Sequence, residues 1–595
     1  MSILDWLIVG LYIIASVVVG VWFTRRASRS TEDYFIAGRS LSWFMAGTSI
    51  VATTFSSDTP LIVAGISRHS GISGHWFWLS AAMGQTATIF FFARLWRRTQ
   101  AVTDVQFIAQ RYEPSHQTSA LRIFRVFFDG IFLNCIVMAS VTLAMTKILK
   151  AMLNLPQSAV FHLPVVGDIY WSGIILFILG FSTVLYSALS GLYGVVYTEL
   201  FQFILAMAGS ILLAVIVYVR AVNDGSLMAL FLNKAAVHKP LLSFFPTVDS
   251  SFLAMFTFFV YIFVTWWHRV PGNGYYVQRL LATRSERDSV LAFLWFNICQ
   301  YVIRPWPWII VGLLSLYYLP NLSDHEDSFP QMINIFLPAG LKGLMVVSMF
   351  AAFMSTIDTH MNWGASYIVN DFYQPFLSSK KSVKHYIITS RILTCLLMIA
   401  AMFIAAKLPG ILETYKYLSV IFGGIATVMI AQWYWWRVNP WSEISAIIAS
   451  LIIGNIAILI FPSSAGRDLY ALRLVITVLL VAATWITVTF LTSSKVPGKH
   501  LIDFYSRMKI PGPGWKKVRV LAGIGPEKNE FIYSFAGWIS CVVFIYSLTL
   551  GIGKLLFQEF LTGAICIALS ILSGFLLVKV LRKMKIFGTC DHNGR

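Results

Sequence analysis

Eight residues, Thr53 to Pro60 (TTFSSDTP), interrupt an otherwise apolar run from about Trp43 to about Gly65. A helix of that kind crosses hydrocarbon, where each unsatisfied polar group costs several kcal/mol. Lipid cannot host Asp58 beside Thr53, Thr54, Ser56, Ser57 and Thr59, and Pro60 removes a backbone donor. The stretch has to face a cavity or an ion, and the helix has to break there.

The chain around it is made for a bilayer. Of its 595 residues 57% are hydrophobic and 12% charged, and the mean hydropathy is +0.73, far outside soluble globular usage. Apolar runs of roughly 20 residues predict about fifteen spans. They lie near 3–24, 43–66, 75–97, 119–150, 169–190, 192–219, 251–270, 288–318, 334–372, 384–406, 409–436, 441–461, 469–492, 532–552 and 555–581. An all-α polytopic membrane protein follows. The first run has no basic segment before it and carries Asp5, so it is expected to stay as a helix rather than be cleaved as a signal peptide.

A net charge of +19 could point to nucleic acid, but its placement says otherwise. Arg25, Arg26, Arg29 and Arg39 follow the first span; Arg94, Arg97, Arg98 and Arg111 the third; Arg269, Arg279, Arg284 and Arg287 the seventh; Lys380, Lys381 and Lys384 the ninth. With the basic 493–530 loop and the Lys579–Lys585 tail, these all fall on one side. The positive-inside rule then puts the N-terminus outside and the C-terminus in the cytoplasm of a multi-pass cell-membrane protein. The charge is topology, and no nucleic-acid partner is expected. Cys135, Cys299, Cys395, Cys541, Cys566 and Cys590 show no metal or disulfide spacing.

Between 43 and 436 there are ten predicted spans, in groups of five at 43–219 and 251–436. Five is odd, so the second group starts in the opposite orientation to the first. Such inverted repeats place substrate and ion near the midplane at discontinuous helices. The first span of each group should therefore be broken: at TTFSSDTP in one, and at Thr265 to Gly274 (TWWHRVPGNG) in the other, where Pro and two Gly act as breakers.

Several motifs carry a resemblance in register with this architecture. They are Asp33 to Ser40 (DYFIAGRS), Val277 to Ala282 (VQRLLA), Ser285 to Asp288 (SERD), and Ala351 to Thr359 (AAFMSTIDT) with Asn362 and Asp371-Phe372-Tyr373. Together they resemble the sodium:solute symporter family over the chain to about residue 490. The resemblance implies a LeuT-like 5+5 inverted-repeat bundle with one extra N-terminal helix and about four extra C-terminal helices. The segments expected are 1–42, an N-terminal helix and connector; 43–219 and 251–436, the two repeats; 437–492, peripheral helices; 493–530, a basic cytoplasmic loop; and 531–595, C-terminal helices and tail. It also implies a sodium-coupled importer of a small organic solute, with Na+ and membrane lipid as further partners and no catalysis. Oligomeric state is not read from the sequence.

Ala352, Ser355 and Thr356, at i, i+3 and i+4, share one helix face and offer three oxygens suited to a hard cation. By resemblance these three match sodium-site positions, and Ser56 and Thr59 match first-helix positions that give backbone carbonyls. Asp58 either assists the cation or caps the second half-helix. Glu199 matches a position where family members with a second cation site carry Asp, and Asp358 and Thr359 occupy the matching hydroxyl positions. These groups either hold a second sodium, share a proton or make ordinary buried hydrogen bonds. Arg304, near mid-span, needs an anionic partner: Asp58, Asp129, Glu199, Asp358 or a solute carboxylate. Gln85, Trp266 and Trp267 sit where family members contact solute, although Trp is also common at membrane interfaces. The run Gln432 to Arg437 (QWYWWR) reads as an aromatic belt, and 493–530 as a linker near lipid head groups. Readings from other classes are a transporter-derived sensor, a lipid-acting membrane enzyme and a proton-coupled transporter of the same fold. No kinase, nucleotide or zinc motif supports the first two.

Overall fold

The structure, a computed structural model, describes all residues except 1, 28–29, 154, 156–157, 159, 164–166, 233–240, 248–249, 463–468, 526–529 and 587–595. Arg29 and Cys590 lie outside the described residues. Helix α1 (Ile3–Ala27) precedes the first broken span, made of α2 (Trp43–Thr54) and α3 (Asp58–Ser70). These two are bent by 60° relative to one another. The break arises where the sequence places it. Thr54 turns its hydroxyl back onto the carbonyls of Ile50 and Val51, in competition with the helix's own ladder. Phe55 then leaves helical geometry at φ −82°, ψ 61°. Pro60 lies in the first turn of α3, where the missing donor costs nothing, and Asp58 sits at the positive end of that helix.

Helix α4 (His116–Leu153) follows, containing a π-helical stretch at Val126–Leu133. A two-stranded antiparallel hairpin, β1 (Phe161–Leu163) with β2 (Gly167–Ile169), leads into α5 (Trp171–Asn223); no motif in the sequence signalled it. Two expected spans run together in α5, which has 53 residues and kinks at Gly191, φ 53°. Beyond it α6 (Phe252–Phe263) opens the second five-helix group and stops at Val264. A 3₁₀ turn over Thr265–Arg269 and an extended Val270 follow before the helix resumes at Tyr275–Leu281. Both groups thus break their first span. The breaks are pressed against neighbours: a Cβ on Gly84 would lie 2.0 Å from the Trp266 carbonyl oxygen, and one on Gly274, at φ 58°, 2.6 Å from the Trp363 ring.

Among the described residues nine helices are long and apolar enough to cross a membrane, or ten if α2 and α3 count as one. The shortfall from fifteen reflects interruption. The runs near 75–97 and 288–318 are divided into shorter helices, the latter by a π turn at Cys299–Ile303 just ahead of Pro305. Helix α7 (Leu341–Leu377) is the hub and is buried along most of its apolar length, whereas the C-terminal helix Phe560–Lys583 is largely exposed. It packs on α1, α2, α4 and α5. Helix α8 (Ile411–Tyr434) closes the second group.

The 493–530 segment departs from expectation. Its described residues fold back as α9 (Lys499–Met508) and a strap, residues 509–525, and together these bury Phe504, Tyr505, Met508, Ile510 and Trp515 against the end of α8. The Trp515 indole donates to the Trp433 carbonyl at 2.6 Å, and its ring lies 4.8 Å from the Arg111 guanidinium. Arg111 itself donates to the carbonyls of Gln432, Trp435 and Trp436, the open end of α8. The aromatic belt is corrected too: Trp433 is fully buried and stacked on Phe107 at 4.2 Å. Replacing Trp515 by Ala removes this anchor and should lower the local stability of the strap by about 3 kcal/mol. Trypsin cleavage at Lys516 and Lys517 should then quicken about a hundredfold; an unchanged rate would mean the strap is held by something else.

Candidate functional site

The oxygens expected on α7 are brought together, and they meet the end of α2. Ser355 Oγ lies 3.2 Å from the Ala52 carbonyl oxygen and 3.0 Å from that of Ala352. Thr356 Oγ1 lies 2.8 Å from the Thr53 carbonyl oxygen and 3.2 Å from that of Ala352. The first-helix carbonyls that meet these hydroxyls are those of Ala52 and Thr53, four and six residues before the expected Ser56 and Thr59, which line the adjoining cavity instead. The reason is geometric: a broken helix frees the carbonyls of its last turn, which precede the break. The Ser56 carbonyl instead accepts from Thr59 N–H at 3.2 Å, and Thr59 Oγ1 turns to the Thr54 carbonyl. Asp58 is buried and accepts from the Tyr415 hydroxyl at 2.7 Å, fastening α3 to α8. It is the first residue of α3, with Ser57 at the N-cap.

The expected second cation position holds a guanidinium. Glu199 on α5 accepts from Ser49, from Thr53 at 2.6 Å and from Thr359 at 2.8 Å. Arg279 Nη2 lies 3.2 Å from Glu199 Oε1 and 2.6 Å from Thr359 Oγ1, with both charged side chains fully buried. Gln278 carries the network on to Asn362 and to the Phe35 carbonyl, both at 2.9 Å. Arg279 and Arg111, which the sequence places among loop charges, are core residues. Charge placement along a sequence cannot distinguish an arginine that reaches water from one that meets a carboxylate. Asp358 is not in this cluster. Ser187 lies 3.5 Å from its carbonyl, on the side of α7 turned to α5.

Arg304 also finds other partners than those expected. It donates to the carbonyls of Val51 and Thr54 at 3.1 and 2.7 Å, to Thr54 Oγ1 at 2.7 Å and to Gln300. The Phe55 and Trp308 rings each lie 5.3 Å away. Among the described residues no carboxylate pairs with it, and Asp129 pairs with Arg125. The cation is held by the negative end of α2.

Beside the α2–α7 oxygens lies a cavity of about 190 Å³. Thr53, Thr54, Thr356, His360, Gln300, Asn273 and Ser419 give it polar wall, and Trp78, Tyr275, Trp363 and Tyr415 aromatic wall. Among the described residues no Asp, Glu, Lys or Arg lines it. Gln85, Trp266 and Trp267 are absent from the wall as well. Gln85 is fully buried with neither amide atom bonded among the described residues, and Trp266 packs on Trp538 at 5.4 Å. The second break reaches the cavity through its later residues, His268 and Asn273 to Tyr276. His360 was also passed over, although it stands one helical turn from Thr356 and so shares its face.

The family model for the sodium:solute symporter family matches residues 34–454, most of the chain. The chain belongs to the sodium:solute symporter family. It is 24% identical over 483 residues to a sodium/glucose cotransporter of Vibrio parahaemolyticus, covering 76% of this chain and 84% of that one. It is 24% identical over 463 residues to the osmoregulated proline transporter OpuE of Bacillus subtilis (strain 168), covering 76% and 87%. A sodium/sialic acid symporter of Proteus mirabilis (strain HI4320) is 23% identical over 469 residues, with 74% and 86% covered. The solved structure of a Na+-coupled sialic acid symporter, substrate-bound and outward-open, superposes with a TM-score of 0.65 at 20% identity, covering 84% of this chain and 99% of that one. The fold is thus the LeuT-like 5+5 bundle, and the protein is a multi-pass, sodium-coupled symporter of a small solute.

The Glu199–Arg279 pair makes a prediction about this symporter's stability. Neutralising either member alone, by Glu199→Gln or Arg279→Gln, strands a buried charge and should cost about 3–5 kcal/mol. The double replacement should cost less than either single one, read by thermal unfolding; additive losses would show that the two side chains are not coupled.

Proposed function

We propose that the symporter carries one sodium ion inward with one uncharged, hydroxyl-rich solute. The observation that carries this reading is the adjacency of two features. Thr53 and Thr356 belong both to the α2–α7 oxygen face and to the wall of a cavity that is polar and aromatic but lined by no Asp, Glu, Lys or Arg among the described residues. Sodium would be held by the carbonyls of Ala52, Thr53 and Ala352 and by the hydroxyls of Ser355 and Thr356. The ion takes over acceptors that the hydroxyls otherwise share, so it draws α2 onto α7 and favours the arrangement in which the solute cavity is formed. The same bridge loosens in a low-sodium cytoplasm and lets the solute go. In this reading 43–219 and 251–436 are the two units that move against one another, and the N-terminus is outside with the 493–530 segment and the tail in the cytoplasm.

A single ion is favoured because the charge of Glu199 is already met by Arg279. An uncharged solute is favoured because Arg304, the candidate named from the sequence for a solute carboxylate, is committed to Val51, Thr54 and Gln300. Among the solutes named for relatives, glucose, mannose and myo-inositol fit such a wall better than proline or sialic acid.

The test is thermal stabilisation and uptake by the purified protein in sodium against potassium. D-glucose, D-mannose or myo-inositol should stabilise it in sodium only, with hyperbolic rather than sigmoidal dependence on sodium. Replacing Ser355 and Thr356 together by Ala should raise the half-saturating sodium concentration about tenfold or more. Stabilisation by proline or sialic acid alone, or a sigmoidal sodium curve, would overturn the reading.

A further inference from the structure

Inside the cavity wall one side chain has its hydrogen-bonding sense fixed by a neighbour on another helix. Asn134 on α4 donates from Nδ2 to the Gly130 carbonyl at 3.2 Å and to the His360 carbonyl at 2.9 Å. With both amide hydrogens spent on carbonyls, the atom left for His360 is Oδ1, which lies 2.5 Å from His360 Nδ1. An amide oxygen only accepts, so Nδ1 carries the proton. In the neutral ring Nε2 is then an acceptor.

The ring packs on Tyr275, at 5.3 Å, and on Trp363, at 5.5 Å. Close approach of α4 and α7 depends on Gly364, where a Cβ would lie 2.5 Å from Asn134 Nδ2. Among the described residues Nε2 has no protein partner, yet it is not one of the enclosed and unsatisfied atoms, and His360 lines the cavity. The acceptor therefore opens onto the space beside the α2–α7 oxygen face.

We propose that His360, oriented by Asn134, is the specificity-determining residue of the cavity and accepts a hydrogen bond from a hydroxyl of an uncharged, hydroxyl-rich solute. A solute carboxylate has no hydrogen to give Nε2 and meets its lone pair instead, so the same residue rejects anions. The proposal rests on the reading of the solute as uncharged and hydroxyl-rich. It goes further by assigning which wall atom selects that class and which residue on another helix sets its polarity.

The test uses the full-length purified protein in sodium, with D-glucose, D-mannose and myo-inositol and the monodeoxy analogues of whichever binds tightest. His360→Phe, which keeps a ring but no acceptor, should weaken binding of the parent compound about tenfold, the scale of one hydrogen bond. The stabilisation given by sodium alone should not change. One deoxy analogue should bind wild type as weakly as the variant binds the parent, and should lose nothing further on the variant. His360→Gln, which keeps an acceptor oxygen, should retain most of the affinity and stands in if the Phe variant does not fold. Equal losses for every deoxy analogue, or no loss at all, would overturn the role of His360 and leave the solute class standing. If none of the three parent compounds stabilises wild type while sodium does, the solute class itself falls, and the role of His360 with it.

Discussion

A helix that stops inside a bilayer leaves its last carbonyls short of donors, and this symporter is arranged around the four at the end of α2, of which Val51 and Ala52 also accept from the Phe55 N–H at 2.9 and 3.0 Å. Val51 and Thr54 are met by Arg304, Ala52 by Ser355 and Thr53 by Thr356, while Thr59 adds a second donor to Thr54. The two sets differ in kind. Arg304 belongs to a side chain fully buried beside Phe55 and Trp308 and cannot leave. The hydroxyls on α7 are weak, rotatable donors that a sodium ion can replace as partner of the same carbonyls. In the proposed reading, one end of one helix is thus divided between a permanent cation and an exchangeable one.

The second buried arginine shows the other solution to the same problem. Arg279 is answered by Glu199 and by the hydroxyls of Ser49 and Thr359, so the cluster is neutral and saturated. It links α2, α5, α7 and the helix after the second break, and through Gln278 it reaches the segment that follows α1. A saturated pair of this kind resists rearrangement, because separating its members leaves charge in a medium of low dielectric constant.

Much of this was legible in the residues. Polar side chains inside an apolar run announced the broken span, and the spacing of Ala352, Ser355 and Thr356 announced the face opposite it. Backbone acceptors were harder to read, because a carbonyl has no residue type. Ala52 carries no polar side chain, and only the rule that a helix frees the carbonyls before its end, not after it, identifies it. Arg279 and Arg111 were hidden by their company, since a basic residue next to a predicted loop is ordinarily a topology marker. The 493–530 segment was misread because its anchors, Phe504, Ile510 and Trp515, are few and widely spaced. They form a core only against the end of α8, which lies far away in the chain. His360 needed the most context: its polarity is set by Asn134, 226 positions earlier.

Arg304 has one more consequence, in terms of voltage. With no carboxylate paired to it among the described residues, it is a net positive charge carried on the Pro305–Tyr318 helix inside the membrane field. Crossing the whole field changes the energy of such a charge by about 2.3 kcal/mol per 100 mV. Any displacement of this helix along the membrane normal is weighted by a share of that amount, whereas the neutral Glu199–Arg279 pair moves without electrical cost. A negative interior therefore pulls Arg304 and an inbound sodium ion in the same direction, so that the membrane potential acts on the protein as well as on its cargo.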